Sequence, residues 1–345
     1  MSRLSTRYRA SGADLPFGDP LAGHGVAMEG YFWRFTQPDR GRTLIALCGV
    51  NTAPDGDHWV TIGLASQPNR FLRTTAHPGG HDNPHSLKVS VDSAFRADVA
   101  DVRLDLGSDA RLDVHVDDPV PWPRRVYGAS GPFHSIPGLN QYWSPWLLGG
   151  RASGTATVGD ETWDLDGAQV YAEKNWGREG FPESWWWGQA QGFAEPEACV
   201  AFAGGTVRAG PVHTEVTVIV VLLPDGRLVR VGDPLISPVH ADVNDETWSL
   251  HSTGRRYVVH VEGSGRLGDA HVLPVPLPSE RRNIPGAIEH LGAHMTVEVR
   301  RHDGETVWAG ESTLAALEHG GIARAQAEVL RRGGTASDTG APPIP

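Results

Sequence analysis

The 345-residue chain carries 30 Lys and Arg against 41 Asp and Glu, a formal charge of -11; a nucleic-acid footprint is excluded, since phosphate binding needs a basic face. The length is ample to bury a core and favours two domains at about 100–200 residues each. The 2 cysteines, Cys48 and Cys199, form no CxxC or Cys/His metal pattern and read as small buried apolar residues.

Residues 1–25 are Gly/Pro/polar and read as an irregular lead-in without the apolar segment of a secretory signal. Short β-like runs follow at 31–36, 43–50, 59–65, 87–91, 100–106 and 111–116, punctuated by turn signals such as Pro54-Asp55-Gly56. Between 117 and 150 the texture changes to Pro, Gly and aromatics, and this stretch is expected to cross between two β units and contribute to a cavity. Strand patterning resumes at 152–158 and 162–165, then at 199–203, 213–223, 227–231, 247–251, 257–261, 294–299 and 306–310. Pro224-Asp225-Gly226 and His302-Asp303-Gly304 are hairpin signals, and 267–278 reads as a Pro-rich loop. The one amphipathic helix lies at 322–332, ended by Gly333-Gly334, and the tail from 334 to 345 reads as disordered.

The expected architecture is all-β: two lipocalin-like antiparallel barrel or sandwich units, 26–150 and 151–333, with the helix at the C-terminus. The most apolar run, 216–223, is far shorter than the ~20 residues of a spanning helix. The expectation is therefore a cytoplasmic protein with no stable membrane anchor. No dinucleotide fingerprint, P-loop lysine, HExxH or GxSxG elbow is present. His77, His81 and His85 fall at four-residue intervals, but the intervening Pro78-Gly79-Gly80 and Pro84 prevent a helical metal face, so no metal is expected.

What remains is the stretch 171–191, YAEKNWGREGFPESWWWGQAQ, with Trp176, Trp185, Trp186 and Trp187 inside 12 residues. In strands, Tyr171, Glu173 and Asn175 share one side, and Trp185, Trp187, Gln189 and Gln191 share another. Glu, Asn and Gln among indoles cost roughly 1–3 kcal/mol each if left unpaired, so the pattern points to a ligand cavity. A structured turn between two core strands is the plain alternative.

This stretch resembles the tocopherol cyclase family in Glu173-Lys174-Asn175-Trp176-Gly177, Gly180-Phe181-Pro182 and Trp185-Trp186-Trp187-Gly188-Gln189. Similar family segments occur at Glu29-Gly30-Tyr31-Phe32, at Trp143 with Gly149-Gly150, and at Ala315-Ala316-Leu317-Glu318-His319-Gly320-Gly321. The resemblance implies a lipocalin-like fold related to carotenoid hydratases and lipocalin-like Diels–Alderases, and closure of a chromanol ring on a prenylated hydroquinone without a cofactor. On that reading the partner is a large apolar small molecule. Glu173 is the expected acid, kept protonated by its indole walls. Glu29 is the secondary candidate. Trp185 and Trp187 face the nascent cation, while Tyr171, Asn175 and Gln189 bind hydroxyl groups. Tyr31, Trp33, Trp143, Trp176 and Gln191 complete the expected wall. An ion pair of Glu173 with Lys174 or Arg178 is the competing structural role. The competing functions are a non-catalytic carrier of an apolar ligand, an isoprenoid hydratase and a Diels–Alderase-type pericyclase.

Overall fold

A computed structural model describes residues 3–209 and 212–335. The first of two antiparallel sheets contains β1 (Met28–Gln37), β2 (Arg42–Thr52), β3 (His58–Gln67), β4 (Leu72–Pro78), β5 (His81–Asp82), β6 (Lys88–Val91), β7 (Phe95–Asp98), β8 (Asp101–Asp105), β9 (Ala110–Pro121), β10 (Tyr142–Val158), β11 (Glu161–Asp164) and β12 (Gln169–Gly177). Its order is β4-β3-β2-β1-β12-β10-β9-β8-β7-β6-β5, with β11 beside β10. The second contains β13 (Trp185–Ala190), β14 (Cys199–Ala209), β15 (Val212–Leu222), β16 (Leu228–Val231), β17 (Val239–Val243), β18 (Thr247–Thr253), β19 (Tyr257–Ser264), β20 (His271–Leu277), β21 (Arg282–Arg301) and β22 (Thr306–Gly320). Here the order is β16-β15-β14-β13-β22-β21-β19-β18-β17, with β20 beside β21.

Alternation explains the outer strands. In β9 the apolar Ala110, Leu112, Val114 and Val116 are buried while Arg111, Asp113, His115 and Asp117 are exposed. Each sheet rolls around its own apolar cluster, one including Trp33, Phe35, Phe95 and Trp146, the other Phe202, Trp248, Met295 and Trp308. A third cluster, with Ile45, Leu148, Tyr171, Trp187, Val220 and Leu291, joins the sheets face to face. Strands β12 and β13 are therefore covered on both sides, which is why they lack polar alternation. The two-unit all-β architecture follows, closed by α2 (Ile322–Arg331), after which Gly333 adopts φ +84.

Several sequence expectations need correction. The change of sheet falls between Gly177 and Trp185 rather than at 150, because β10 runs unbroken through that position. The 117–150 stretch joins β9 to β10, neighbours in one sheet, although it does line the intersheet cavity through Phe133, Leu139 and Trp143. The lead-in contains α1 (Arg3–Arg9) and is tied down at Gly12 and Ala22, whose carbonyls accept from Trp176 Nε1 and Lys174 Nζ. The supposed loop at 267–278 contains β20; it lies off the main strand path, where Pro274 and Pro276 are tolerated. The tail expected to be disordered lies, from 336 onward, outside the described residues. Among the described residues no helix is long and apolar enough to cross a membrane.

Candidate active site

The site sits between the two sheets, and residue parity decides what reaches it. On β1 the even positions point across the interface: Phe32 meets Trp187 edge-on with ring centroids 5.3 Å apart, and Arg34 Nη1 donates to Gln189 Oε1 at 2.7 Å. On β12 the odd positions do so. Gly30 is paired with Asn175 in register, and a Cβ at Gly30 would lie 2.1 Å from Asn175 Oδ1, so the glycine makes room for that amide. The resulting cavity, about 200 Å³, is walled by Phe32, Trp143, Glu173, Asn175, Trp185, Trp187 and the carboxyls of Glu289 and Glu318. That volume exceeds by an order of magnitude the ~10–15 Å³ one water needs, so the space suits an organic ligand.

Glu173 is buried and has three donors on one oxygen. Its Oε2 accepts from Tyr171 Oη at 2.6 Å, from Trp143 Nε1 at 2.8 Å and from Trp187 Nε1 at 2.8 Å. Burial raises its pKa from the usual 4.5 to about 7; the three hydrogen bonds resist the rise and the Glu318 charge adds to it. With Oε2 accepting from three donors, Oε1 is the oxygen left to carry the proton of the neutral acid. The competing ion pair does not form: Lys174 turns to the opposite face of β12 and pairs with Glu29 Oε2 at 2.6 Å.

Glu29 is therefore corrected from candidate acid to structural anion. Burial alone would raise its pKa, but the Lys174 charge, together with His24, holds it well below the usual carboxylate range. Its Oε1 also accepts the backbone N–H groups of His24 and Gly25 at 2.6 and 2.7 Å. Tyr31 shares that odd-numbered face; it borders the cavity, but its hydroxyl donates to Asp82 Oδ2 at 3.3 Å. Trp33 packs in the first sheet's own core against Phe95 and does not line the cavity. Trp176 is stacked between the rings of His24 and Tyr142 at 4.4 and 5.4 Å, away from the cavity. Gln189 is occupied by Arg34, and Gln191 Nε2 donates to the Val170 carbonyl at 3.1 Å, so both join the sheets instead of lining the wall. Tyr171 stands behind Glu173 as a donor. Asn175 lines the cavity, and its Oδ1 has no partner among the described residues.

Sequence reasoning missed Glu289 and Glu318. Glu318 lies within the family-like segment 315–321, where a carboxyl between Leu317 and His319 was the available signal. Glu289 is flanked by Ile288 and His290 in a long β run and carries no distinguishing pattern.

Trp187→Phe keeps the aromatic body and removes one donor from Glu173. The carboxylate is then less well stabilised, and the midpoint of its titration is expected to rise above about 7 by about one to two pH units, the worth of one hydrogen bond to a charged group. Carbon NMR on glutamate-labelled protein, with Glu173→Gln for assignment, reads the midpoint; an unchanged value refutes the hydrogen bond's role.

Residues 106–321 match the family model described as tocopherol cyclase-like. A probable chloroplastic tocopherol cyclase of Oryza sativa subsp. japonica is 26% identical over 197 residues, covering 54% of this chain and 41% of that protein. A chloroplastic tocopherol cyclase of Zea mays is 25% identical over 197 residues, covering 54% and 40%. The match thus spans well under half the length of the plant proteins. Among solved structures, kievitone hydratase from Nectria haematococca is similar with a TM-score of 0.54 at 11% identity, over 87% of this chain and 90% of that one. CghA gives 0.54 at 13% identity, over 86% and 88%. At such identities these two structures share the fold.

Proposed function

Because the chain belongs to the tocopherol cyclase-like family, we propose that it is an intramolecular cyclase acting on a large apolar substrate with a hydroxylated head, of the prenylated hydroquinone class. The observation that carries this reading is Glu173: a carboxyl buried between the Trp143 and Trp187 indoles, its pKa pushed up to about 7 by that burial, on a residue lining an aromatic cavity. Its proton passes from Oε1 to one carbon of a trisubstituted alkene, and the other carbon becomes a tertiary cation. The indoles of Trp185 and Trp187 stabilise that cation by ~2 kcal/mol once water is excluded. The carboxylate left behind strengthens its three hydrogen bonds, which stabilises charge where it develops. Holding the hydroxyl oxygen near the cation then favours ring closure over capture by water. The net change is an isomerisation, which needs neither oxidant nor reductant.

Incubation with a prenylated methylhydroquinone in D₂O tests the proposal. A cyclase yields a chromanol carrying one carbon-bound deuterium at the former alkene. A product heavier by one water identifies a hydratase, and unchanged ligand bound at stoichiometric amounts identifies a carrier; either result refutes cyclisation.

A further inference from the structure

Two more carboxyls face the same cavity. Glu289 in β21 and Glu318 in β22 are directly opposed across the antiparallel ladder, on the side turned to the first sheet. Glu289 is 1% exposed and lines the cavity; its carboxyl lies within hydrogen-bond reach of Glu318, and its Oε1 accepts from no donor among the described residues. Glu318 receives a hydrogen bond from Trp185 Nε1. Opposed like charges destabilise a sheet, and an apolar pair would fill this position without that cost.

The groups facing the pair explain how it persists. From the first sheet come Glu173 and the Arg34 guanidinium, whose Nη atoms donate to Gln189, Thr36 and the carbonyls of Leu291 and Leu314 while its Nε has no partner among the described residues. No cation contacts either carboxyl among the described residues. Burial and the charge of Glu318 raise Glu289 well above the carboxylate range, with Arg34 opposing at a distance, and burial raises Glu318 as well. Two adjacent buried carboxyls do not both ionise readily, so the pair holds a proton more strongly than two separate carboxyls would.

We propose that the Glu289–Glu318 pair binds the hydroxyl of the substrate's head group and accepts its proton during ring closure. Proton acceptance rests on the cyclase reading above; hydroxyl binding does not. The steps balance. The alkene π pair takes the Glu173 proton to form a C–H bond, and the hydroxyl oxygen forms the C–O bond. Its O–H bond breaks toward a carboxylate oxygen of the pair, which gains that proton as Glu173 becomes anionic. Exchange with solvent on product release restores both sites. Acid and base thus lie on opposite sheets, so cation and oxygen are brought together between them.

Anaerobic calorimetry with trimethylhydroquinone and its dimethyl ether tests this. Wild type is expected to bind the hydroquinone about tenfold or more tightly than the ether, the worth of one charge-assisted hydrogen bond. Glu318→Gln and Glu289→Gln should each erase most of that preference, whereas Glu173→Gln keeps it. Equal affinity for the two probes in wild type overturns the proposal, and needs no variant to fold. So does a preference retained in both variants of the pair, with thermal melts confirming that they are folded. If the preference holds but the D₂O experiment gives no chromanol, proton acceptance fails and the hydroxyl site stands. Chromanol formed without any preference removes the pair and leaves the cyclase.

Discussion

Glu173→Gln is expected to lower turnover by about a thousandfold or more while leaving ligand affinity nearly unchanged, since positioned general acids contribute ~10²–10⁴. Gln retains an oxygen that can accept from Tyr171, Trp143 and Trp187, so the wall keeps its shape. The same substitution has a signature in stability. The folded-state pKa of about 7 lies above the usual 4.5, so burying the neutral acid is favourable below pH 4.5 and that advantage is lost as pH rises through 7. The interval from 4.5 to about 7 corresponds to about 3 kcal/mol, which wild type forgoes in full at pH 8 and Gln does not. Urea melts should accordingly show the variant gaining on wild type between pH 5 and pH 8. Turnover close to wild type, or a stability difference independent of pH, would falsify the assignment of Glu173 as the buried acid.

Lys174→Met should cause the largest loss of stability. Lys174 is fully buried, with Nζ 2.6 Å from Glu29 Oε2, 2.9 Å from the Ala22 carbonyl and 3.2 Å from His24 Nδ1. It also lies 5.1 Å from the centroid of the Trp176 ring. Removing one partner of such a pair leaves an uncompensated buried charge and costs roughly 3–5 kcal/mol, a large part of a typical domain's 5–15. Since Glu29 is held below its usual 4.5, the stability it contributes is present above that pH and lost as pH falls toward the depressed value. The gap between wild type and variant should therefore be full at pH 7 and narrow under acid. Adding Glu29→Gln should recover much of the loss, because the orphaned charge is gone. Because Lys174 and Glu173 point to opposite faces of β12, protein that remains folded should retain ligand binding. A melt unchanged by Lys174→Met at pH 7 argues against a stabilising pair.

Most of the strands, the antiparallel turns and the terminal helix were legible because half-buried strands alternate and hairpins need Gly, Asn or Asp, whereas β4, β5, β7, β17 and β20 were not read. The segment from Glu173 to Trp187 was legible because carboxyls among indoles are improbable filler. The parity of β1 was not. Glu29, Tyr31 and Trp33 do share a face, but a strand packed between two cores is apolar on both sides, and nothing local says which side adjoins the cavity. Trp176 stood among the expected wall residues for the same reason, yet its register on β12 turns it toward Tyr142 and His24.

The sequence by itself determined the β class and the aromatic stretch with a carboxyl, Glu173, set among its indoles, since each depends on neighbours along one strand. Only the tertiary structure decided that Lys174 belongs to Glu29, that Trp143 and Trp187 meet on one carboxylate oxygen, and that Glu289 and Glu318 pair across the β21–β22 ladder on the side that faces the cavity. Those relations join residues from different strands, and from both sheets, and they arise from register and sheet packing, which leave no periodic trace along the chain.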